Sequence, residues 1–335
     1  MRPTRFLVLS AILFTGCTLL GACKKQSPPP SGSTGSAPPA TSATAARIAV
    51  IPKGTTHVFW KSVERGAQAA GDDLGLEIIW RGPVTENDRA QQIQLVQQFI
   101  SEGVSGIVLA PLDFKALVGP VAEAKSKGIP VVIMDSALEG TPGTDFVSFV
   151  ATNNLNGGKL AGEALARLLN NKGDVVVLRY QVGSASTDDR ERGFLEAVGA
   201  APEIKVVSEN RYAGATAGEA KTAALNMMDQ IRAAGGVFAP NESSTLGMLL
   251  ALQQEGLAGK IRFVGFDASP PLVDALKKGE IDALVVQNPT AMGEKSVRAL
   301  AEHLAGRPVE AVVDTGAVLV TRENMNDESI KRLIE

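Results

Sequence analysis

The chain has 335 residues, with 33 basic and 36 acidic side chains and a formal net charge of −3. That length allows two lobes of ordinary size, and the mildly acidic balance gives no footprint for nucleic acid or an anionic headgroup surface. Both cysteines, Cys17 and Cys23, precede residue 24 and the two histidines, His57 and His303, are far apart, so the remainder carries no disulfide, no cysteine zinc site and no HExxH-type cluster. No metal or cofactor is implied.

Arg2 and Arg5 precede FLVLSAILFTGCTLLGA, an apolar run from Phe6 to Ala22 that closes on small residues. This is the layout of a signal peptide, and the run is marginal as a bilayer span. LLGAC resembles the lipobox of bacterial lipoproteins, in which cleavage exposes a cysteine that is then acylated. The expectation is a signal peptide over 1–22 and a lipid on Cys23, with Cys17 in the discarded piece; an uncleaved anchor is the alternative. KKQSPPPSGSTGSAPPATSATAA follows, with no residue able to nucleate a core, so 23–46 is expected to be the lipidated cysteine and a disordered tether. An anchor and spacer place the body outside the cytoplasm, in the periplasm or cell envelope. Without Arg2, Arg5, Lys24 and Lys25 that body has 33 − 4 = 29 basic against 36 acidic residues, a charge near −7.

From Arg47 onward, apolar strands alternate with amphipathic helices. RIAVI leads into a helix with Phe59, Val63, Ala67 and Ala70 on one face. LEIIW (76–80) precedes a helix with Ile93, Val96 and Ile100 inward. VSGIVLA (104–110), a helix near 113–127 and IPVVIMD (129–135) complete a half, with Gly103 and Gly128 just past helix ends. After DFVSFVATNN the pattern restarts, with a helix over NGGKLAGEALARLLN, DVVVLRY (174–180), a helix near 188–199 and EIKVVSEN. A helix over 216–233, GGVFA, a helix near 243–255, IRFVGFD (261–267), IDALVVQ (281–287) and a helix near 290–305 follow. Strands apolar throughout belong to parallel sheets covered on both faces. The rhythm predicts an α/β chain of two doubly wound parallel-sheet lobes of similar design.

In such sheets ligands sit beyond the carboxyl ends of the strands. The first lobe offers Lys53, His57, Phe59 and Trp60 after its first strand, a local concentration of polar and aromatic groups where a core would use branched aliphatics, and then Asp135 and Ser136. The second offers Arg190, Asn241, Asp267 and Gln287. Planar polar groups can bond two neighbouring hydroxyls at once, and aromatic faces suit the C–H side of a sugar ring. Together they predict a monosaccharide pocket. Each residue also has a plain structural reading: Asp135 and Asp267 as helix caps, Arg190 as a surface residue, Phe59 or Trp60 as core, His57 in a solvated loop, and Asn241 and Gln287 satisfying backbone groups. What favours the pocket is that all fall on one predicted edge. There is no GxxxxGK[ST], no GxGxxG after a strand and no GxSxG elbow, and hydroxyl binding by Asp135 and Asp267 is simpler than a glycosidase pair. The chain is expected not to be an enzyme.

FWKSVERGAQAA, GIPVVIMDS, VATNNLNGGKLAGEAL, RERGFLEA, VFAPNE, VGFDASP and VVQNP, in that order, resemble the ribose/galactose-type periplasmic sugar-binding proteins, the substrate receptors of bacterial ABC importers. The similarity runs through 47–335 and implies a monomer that closes on a small sugar and is read by a membrane permease. It implies that the positions of Phe59, Trp60, Asp135, Arg190, Asn241, Asp267 and Gln287 touch the sugar. It also implies three hinge crossings, near 150–153, 287–288 and 314–318, making lobe one 47–152 plus 288–316 and lobe two 153–287 plus 317–335. Lac-repressor-type regulators share the fold but begin with a DNA-binding segment, where this chain has the lipobox and tether. Ribose binders of the family carry Asn at His57, a small polar residue at Lys53 and Arg at Ser136, and an aromatic residue near RYAGATAG that only Tyr212 could replace. The particular sugar therefore stays open. Pro52-Lys53 is similar to receptors for the furanosyl signal autoinducer-2, and a sensory receptor read by a membrane kinase or chemoreceptor is the alternative to transport. In either case the expectation is hinge closure in which only a bound ligand joins the two lobes.

Overall fold

A computed structural model describes residues 45–334. The signal peptide, Cys23 and nearly all of the tether lie outside the described residues, and no helix among those described is long and apolar enough to cross a membrane.

Two six-stranded sheets carry the fold. The first is built from β1 (Arg47–Ile51), β2 (Glu77–Trp80), β3 (Gly106–Leu109), β4 (Val131–Met134) and β5 (Ser148–Ala151), with β11 (Val312–Asp314) at its edge, in the order β2-β1-β3-β4-β5-β11. The second comprises β6 (Lys172–Arg179), β7 (Glu203–Tyr212), β8 (Gly236–Phe238), β9 (Arg262–Phe266), β10 (Ala283–Gln287) and β12 (Ala317–Thr321), in the matching order β7-β6-β8-β9-β10-β12. Each strand of one sheet thus has a counterpart in the other. The pairing is parallel except that β12 runs antiparallel to β10, so the second lobe departs from the all-parallel expectation at its edge. Sheet membership changes after β5, after β10 and between β11 and β12.

Helices cover both faces. In the first lobe α1 (Val58–Leu74), α2 (Arg89–Glu102) and α3 (Val118–Ser126) follow β1, β2 and β3. Alternate strand residues feed separate cores: Ala49, Ile51, Ile107 and Leu109 pack with α2 and α3, while Ile48, Val50 and Val108 pack with α1 and with α10 (Pro289–Leu304). In the second lobe α4 (Asn154–Leu168) and α5 (Ala185–Gly199) cover one face. The other face is covered by α6 (Ala217–Asn226), α7 (Met228–Ala233), α8 (Glu242–Gln254) and α9 (Pro270–Lys278), with α11 (Glu328–Ile334) at its margin. Helices α4 and α10 each follow the fifth strand of one sheet and pack on the other lobe. They do so closely: a Cβ on Gly158 would lie 2.0 Å from the Arg190 carbonyl oxygen, and one on Gly66 would lie 1.9 Å from that of Thr290. Only glycine lets these backbones meet.

Local chemistry explains where elements depart from the periodicity. The helix expected over 113–127 begins at Val118, because the Asp113 carboxylate accepts from the backbone of Lys115 and Ala116 and holds a turn. The helix expected over 216–233 breaks at Met227 into α6 and α7. In α2 the buried face is Gln92, Leu95, Val96 and Phe99, with Ile93 and Ile100 only partly covered. It is turned inward at Gln92, whose amide donates to Pro52 O and Ala110 O and accepts from Leu112 N. One polar side chain thereby ties the ends of β1 and β3 just beneath the cleft. In α1 the buried face starts at Trp60 rather than Phe59, which is half-buried.

Candidate functional site

The two sheets turn their strand ends toward one another. Asp135 follows β4 and Asp267 follows its counterpart β9, and both are held at positive φ, 63° and 70°. Their amides reach the neighbouring strand in the same way, Asp135 N donating to Val150 O at 3.0 Å and Asp267 N to Val285 O at 2.8 Å. Left-handed backbone is tolerated by Asp and sparsely populated otherwise, and such strain collects at functional sites. It turns both carboxylates into the space between the lobes.

Lys53 is only 3% exposed although it follows a core strand. Its ammonium lies 3.3 Å from Asp135 Oδ2 and donates to Ser186 Oγ (3.0 Å) and Ser184 Oγ (3.3 Å) of the opposite lobe. In α5, Arg190 is 2% exposed, not a surface residue. Its Nε donates to Asn154 Oδ1 (2.8 Å) and Nη1 to Pro240 O (2.9 Å), and its guanidinium lies 4.0 Å from the Phe266 ring centroid. Asp267 accepts from Gln287 Nε2 at 2.7 Å and from Glu242 N at 2.8 Å. Gln287 Oε1 is buried with no partner among the described residues. Asn241 caps α8, accepting from Ser244 N at 3.2 Å, so its backbone-satisfying role is real while it also faces the cleft.

Three residues absent from the sequence-based candidates are central. Glu86, in the loop after β2, accepts from His57 Nδ1 (2.6 Å) and Trp60 Nε1 (2.7 Å) on Oε1 and from the Tyr180 hydroxyl (2.7 Å) on Oε2. Glu242 accepts from the backbone of Val58 (3.3 Å) and Phe59 (3.0 Å). His57, the N-cap residue, gives α1 no side-chain cap and the first turn has no acid, so a carboxylate from the other lobe fills the anion-favouring end of this helix. Tyr180 stands directly after β6, the position that the strand-end rule selects; Glu86 lies farther along its loop and Glu242 reads as ordinary first-turn helix.

Lys53, His57, Phe59, Trp60 and Asp135 from one lobe and Arg190, Asn241, Asp267 and Gln287 from the other line a single cavity, joined by Glu86, Tyr180 and Glu242. His57 is not in a solvated loop, and Trp60 is both cavity wall and core, packing edge-on to Phe59 at 4.9 Å between centroids. Ser136 does not line the cavity: its hydroxyl accepts from Ser186 N at 3.2 Å, joining the lobes beside it. Tyr212 does not line it either, and its ring instead sits under the Arg179 guanidinium. No group of His, Cys, Asp and Glu among the described residues could hold a metal.

The expectation that only ligand joins the lobes is corrected here. Tyr180 to Glu86, Lys53 to Ser184 and Ser186, Ser186 N to Ser136, Val58 and Phe59 to Glu242, and Phe114 N to Gly183 O (3.1 Å) all bridge the cleft directly. The structure is a closed form whose closure is partly self-supporting.

Burial disfavours the His57 imidazolium, but the Glu86 carboxylate, by charge and hydrogen bond, more than offsets this and raises its pKa to about 9. Burial likewise opposes the Glu86 anion, yet His57, with help from Lys53 and Trp60, holds it down at about 2. Asp267 goes the other way: burial pushes it up to about 6, against the pull of Arg190 and Gln287. Burial also pushes the Tyr180 hydroxyl well above its ordinary value, with Glu86 adding to the effect, so it remains a donor. Lys53, His57, Glu86, Asp135 and Glu242 each have an opposite charge or a helix end beside them, whereas Arg190 bonds only the Asn154 side chain and the Pro240 carbonyl among the described residues.

Comparison with known proteins agrees with this architecture. Residues 48–308 match the periplasmic binding protein domain. A ribose import binding protein of Salmonella typhimurium is 31% identical over 280 residues, 82% of this chain and 90% of that one. A D-ribose/D-allose-binding protein of Pseudomonas aeruginosa is 30% identical over 292 residues, with 82% and 88% covered. Among solved structures, a carbohydrate transporter solute-binding protein of Agrobacterium radiobacter in complex with D-arabinose has a TM-score of 0.84 at 34% identity, over 88% of this chain and 100% of that one. An ABC transporter solute-binding protein of Agrobacterium vitis with bound D-fucose has a TM-score of 0.83 at 34% identity, over 87% and 100%. The chain belongs to the periplasmic binding protein family, whose members bind substrates and are not enzymes.

Proposed function

We propose that this protein is an extracytoplasmic substrate-binding lipoprotein that closes on a neutral monosaccharide and delivers it to an ABC importer. The lobes are 47–152 plus 288–316 and 153–287 plus 317–335, the body acts as a monomer, and the lipid on Cys23 tethers it to a membrane. The observation that carries the reading is the charge pairing of the cavity. Lys53 with Asp135 and His57 with Glu86 are matched pairs, and Glu242 sits on a helix end. A charged ligand would leave one of these unbalanced in a buried place. A polyol adds only hydroxyls, which can donate to Gln287 Oε1 and accept from the Arg190 guanidinium, whose Nη2 makes no bond among the described residues. Phe59 and Trp60 supply apolar faces for the ring, and Lys53, His57, Asp135, Asn241 and Asp267 complete the contacts. Sugar binding by the relatives supports the same reading.

The test is a thermal-shift and calorimetric screen over D-ribose, D-allose, D-arabinose, D-fucose and autoinducer-2. A ligand at a hundredfold excess over Kd should stabilise the protein by roughly 2.7 kcal/mol. No shift with any of them would overturn the reading. A Cys23→Ala chain should be recovered in the soluble fraction if the anchor is as proposed.

A further inference from the structure

Arg190 is held in an uncommon way for a buried cation. Among the described residues no carboxylate bonds it: Nε donates to Asn154 Oδ1 and Nη1 to Pro240 O, both neutral acceptors. Its charge and its remaining N–H groups are left for whatever enters the cavity. The acceptor that fixes Nε belongs to Asn154, which is 6% exposed and does not line the cavity.

Asn154 opens α4, just after the chain leaves the first sheet at Ala151. This crossing is tied to the one between β11 and β12. Thr152 Oγ1 donates to Gly316 O (3.2 Å), and the Asp314 carboxylate accepts from Asn153 N (3.1 Å) and Gly316 N (2.8 Å). Asn153 also caps α4 by accepting from Asn156 N. The two asparagines thus divide the work: one pins the crossing and starts the helix, and the other turns inward. While Oδ1 of Asn154 takes Arg190 Nε, its Nδ2 donates across the lobes to Asp135 O at 3.3 Å, the carbonyl of the residue held at positive φ after β4. The partners dictate the orientation of the amide, because a guanidinium only donates and a carbonyl only accepts. An aspartate here would set an oxygen against the Asp135 carbonyl and would neutralise Arg190 with its own charge; a leucine would satisfy neither partner. One helical turn on, Gly158 lets the same face of α4 close on the Arg190 backbone.

We infer that Asn154 is a positioning residue for ligand binding: from outside the cavity its amide aims the Arg190 guanidinium and keeps it in register with the Asp135 turn of the other lobe, beside the crossing about which the lobes turn. The inference rests on the sugar-binding reading above. Calorimetry on the full chain with the tightest-binding sugar of the screen tests it. Asn154→Ala, which frees the guanidinium, and the isosteric Asn154→Asp, which neutralises it, should each raise Kd by about tenfold or more. Arg190→Lys keeps the cation but has no Nε–H to hold, so in that background Asn154→Ala should change Kd by less than about twofold. Nitrogen-15 NMR adds a reading that needs no ligand. The Arg190 Nε–H signal, identified by its loss in Arg190→Lys, should exchange slowly with water in the wild-type protein and disappear in Asn154→Ala. A residue that merely packs α4 against the first lobe would weaken binding equally in both backgrounds and leave that signal in place, and this result would overturn the inference. If Arg190→Lys binds too weakly to titrate, the signal decides alone. A Kd unchanged within about twofold in both Asn154 variants would likewise overturn it while leaving the sugar reading intact. If the wild-type protein binds no sugar, both readings fall.

Discussion

The Tyr180–Glu86 bond gives the sharpest test of how closure is stabilised. Tyr180 directly follows β6 in one lobe and Glu86 follows β2 in the other, so this 2.7 Å hydrogen bond exists only when the cleft is shut. Tyr180→Phe keeps the ring, which is 1% exposed, and deletes the only donor to Glu86 Oε2 among the described residues; His57 and Trp60 both bond Oε1. A hydrogen bond to a charged group contributes about 1.5–3 kcal/mol. In the open form both groups meet water, so the whole difference falls on the open–closed balance, and at about 1.4 kcal/mol per tenfold the ligand Kd should rise roughly 10- to 140-fold. The assay is calorimetry on wild type and variant with the tightest-binding sugar of the screen, together with the radius of gyration by small-angle scattering without ligand. The variant should be more expanded than wild type when empty, and the effect of Tyr180→Phe should shrink in a Glu86→Gln background, because the two residues share one interaction. A Kd unchanged within about twofold, where a rise of about tenfold or more is expected, would refute the idea that direct bonds between lobes share the work of closure with ligand.

Other outcomes follow from the same geometry. Arg190→Ala leaves Asp267 without its buried cation and should cost about 2–5 kcal/mol of binding free energy by calorimetry, with melting affected less. Trp60→Ala opens the core as well as the cavity and should lower unfolding stability by about 3–5 kcal/mol in urea, whereas Phe59→Ala, at a half-buried position, should change affinity more than stability. His57 has a folded pKa of about 9 against 6.5 when unfolded; the raised value means that its contribution is fully present below pH 6.5 and is lost as pH rises through 9. Unfolding free energy should therefore fall by about 3 kcal/mol across that window, and His57→Gln should flatten the profile. Gly158→Ala sets a Cβ 2.0 Å from the Arg190 carbonyl and should weaken sugar binding through the displaced α5 backbone, although residue 158 does not line the cavity.

The doubled α/β design was legible because parallel strands covered on both faces must be apolar throughout, and these are. The strand-end rule then found Asp135, Asp267 and Gln287, since a short strand leaves little doubt about which residue stands at its tip. It missed Glu86 because that residue reaches the cleft from the middle of a loop, where no periodicity fixes its direction. It missed Glu242 because an acid in a first helical turn is ordinary, and nothing local says that it caps a helix of the opposite lobe. It misplaced Ser136, whose neighbour Asp135 takes the turn that points inward while the serine is left to bond across the cleft. The one-residue shift from Phe59 to Trp60 has a similar origin: the indole N–H finds Glu86, a partner distant in sequence, and that bond makes the larger ring the buried one.

Asp135 and Asp267 show why the site sits where the two halves are most alike. They occupy matching positions after β4 and β9, share the same left-handed backbone and the same amide bond to the next strand, yet their surroundings differ. Asp135 meets the Lys53 ammonium at 3.3 Å. Asp267 meets an amide, a backbone N–H and, farther off, Arg190, and its pKa rises to about 6. Since the raised value favours the protonated form in the folded state, Asp267 opposes folding progressively as pH climbs from 3.8 to 6, and a ligand hydroxyl donating to its anion recovers part of that loss. Sugar affinity should therefore rise with pH through about 6 in wild type and lose that rise in Asp267→Asn, while Asp135→Asn keeps it. Calorimetry between pH 5 and 7.5 reads the difference, and an affinity flat through that range in wild type would show that Asp267 gains nothing from the ligand and that the likeness of the two turns is inherited geometry alone.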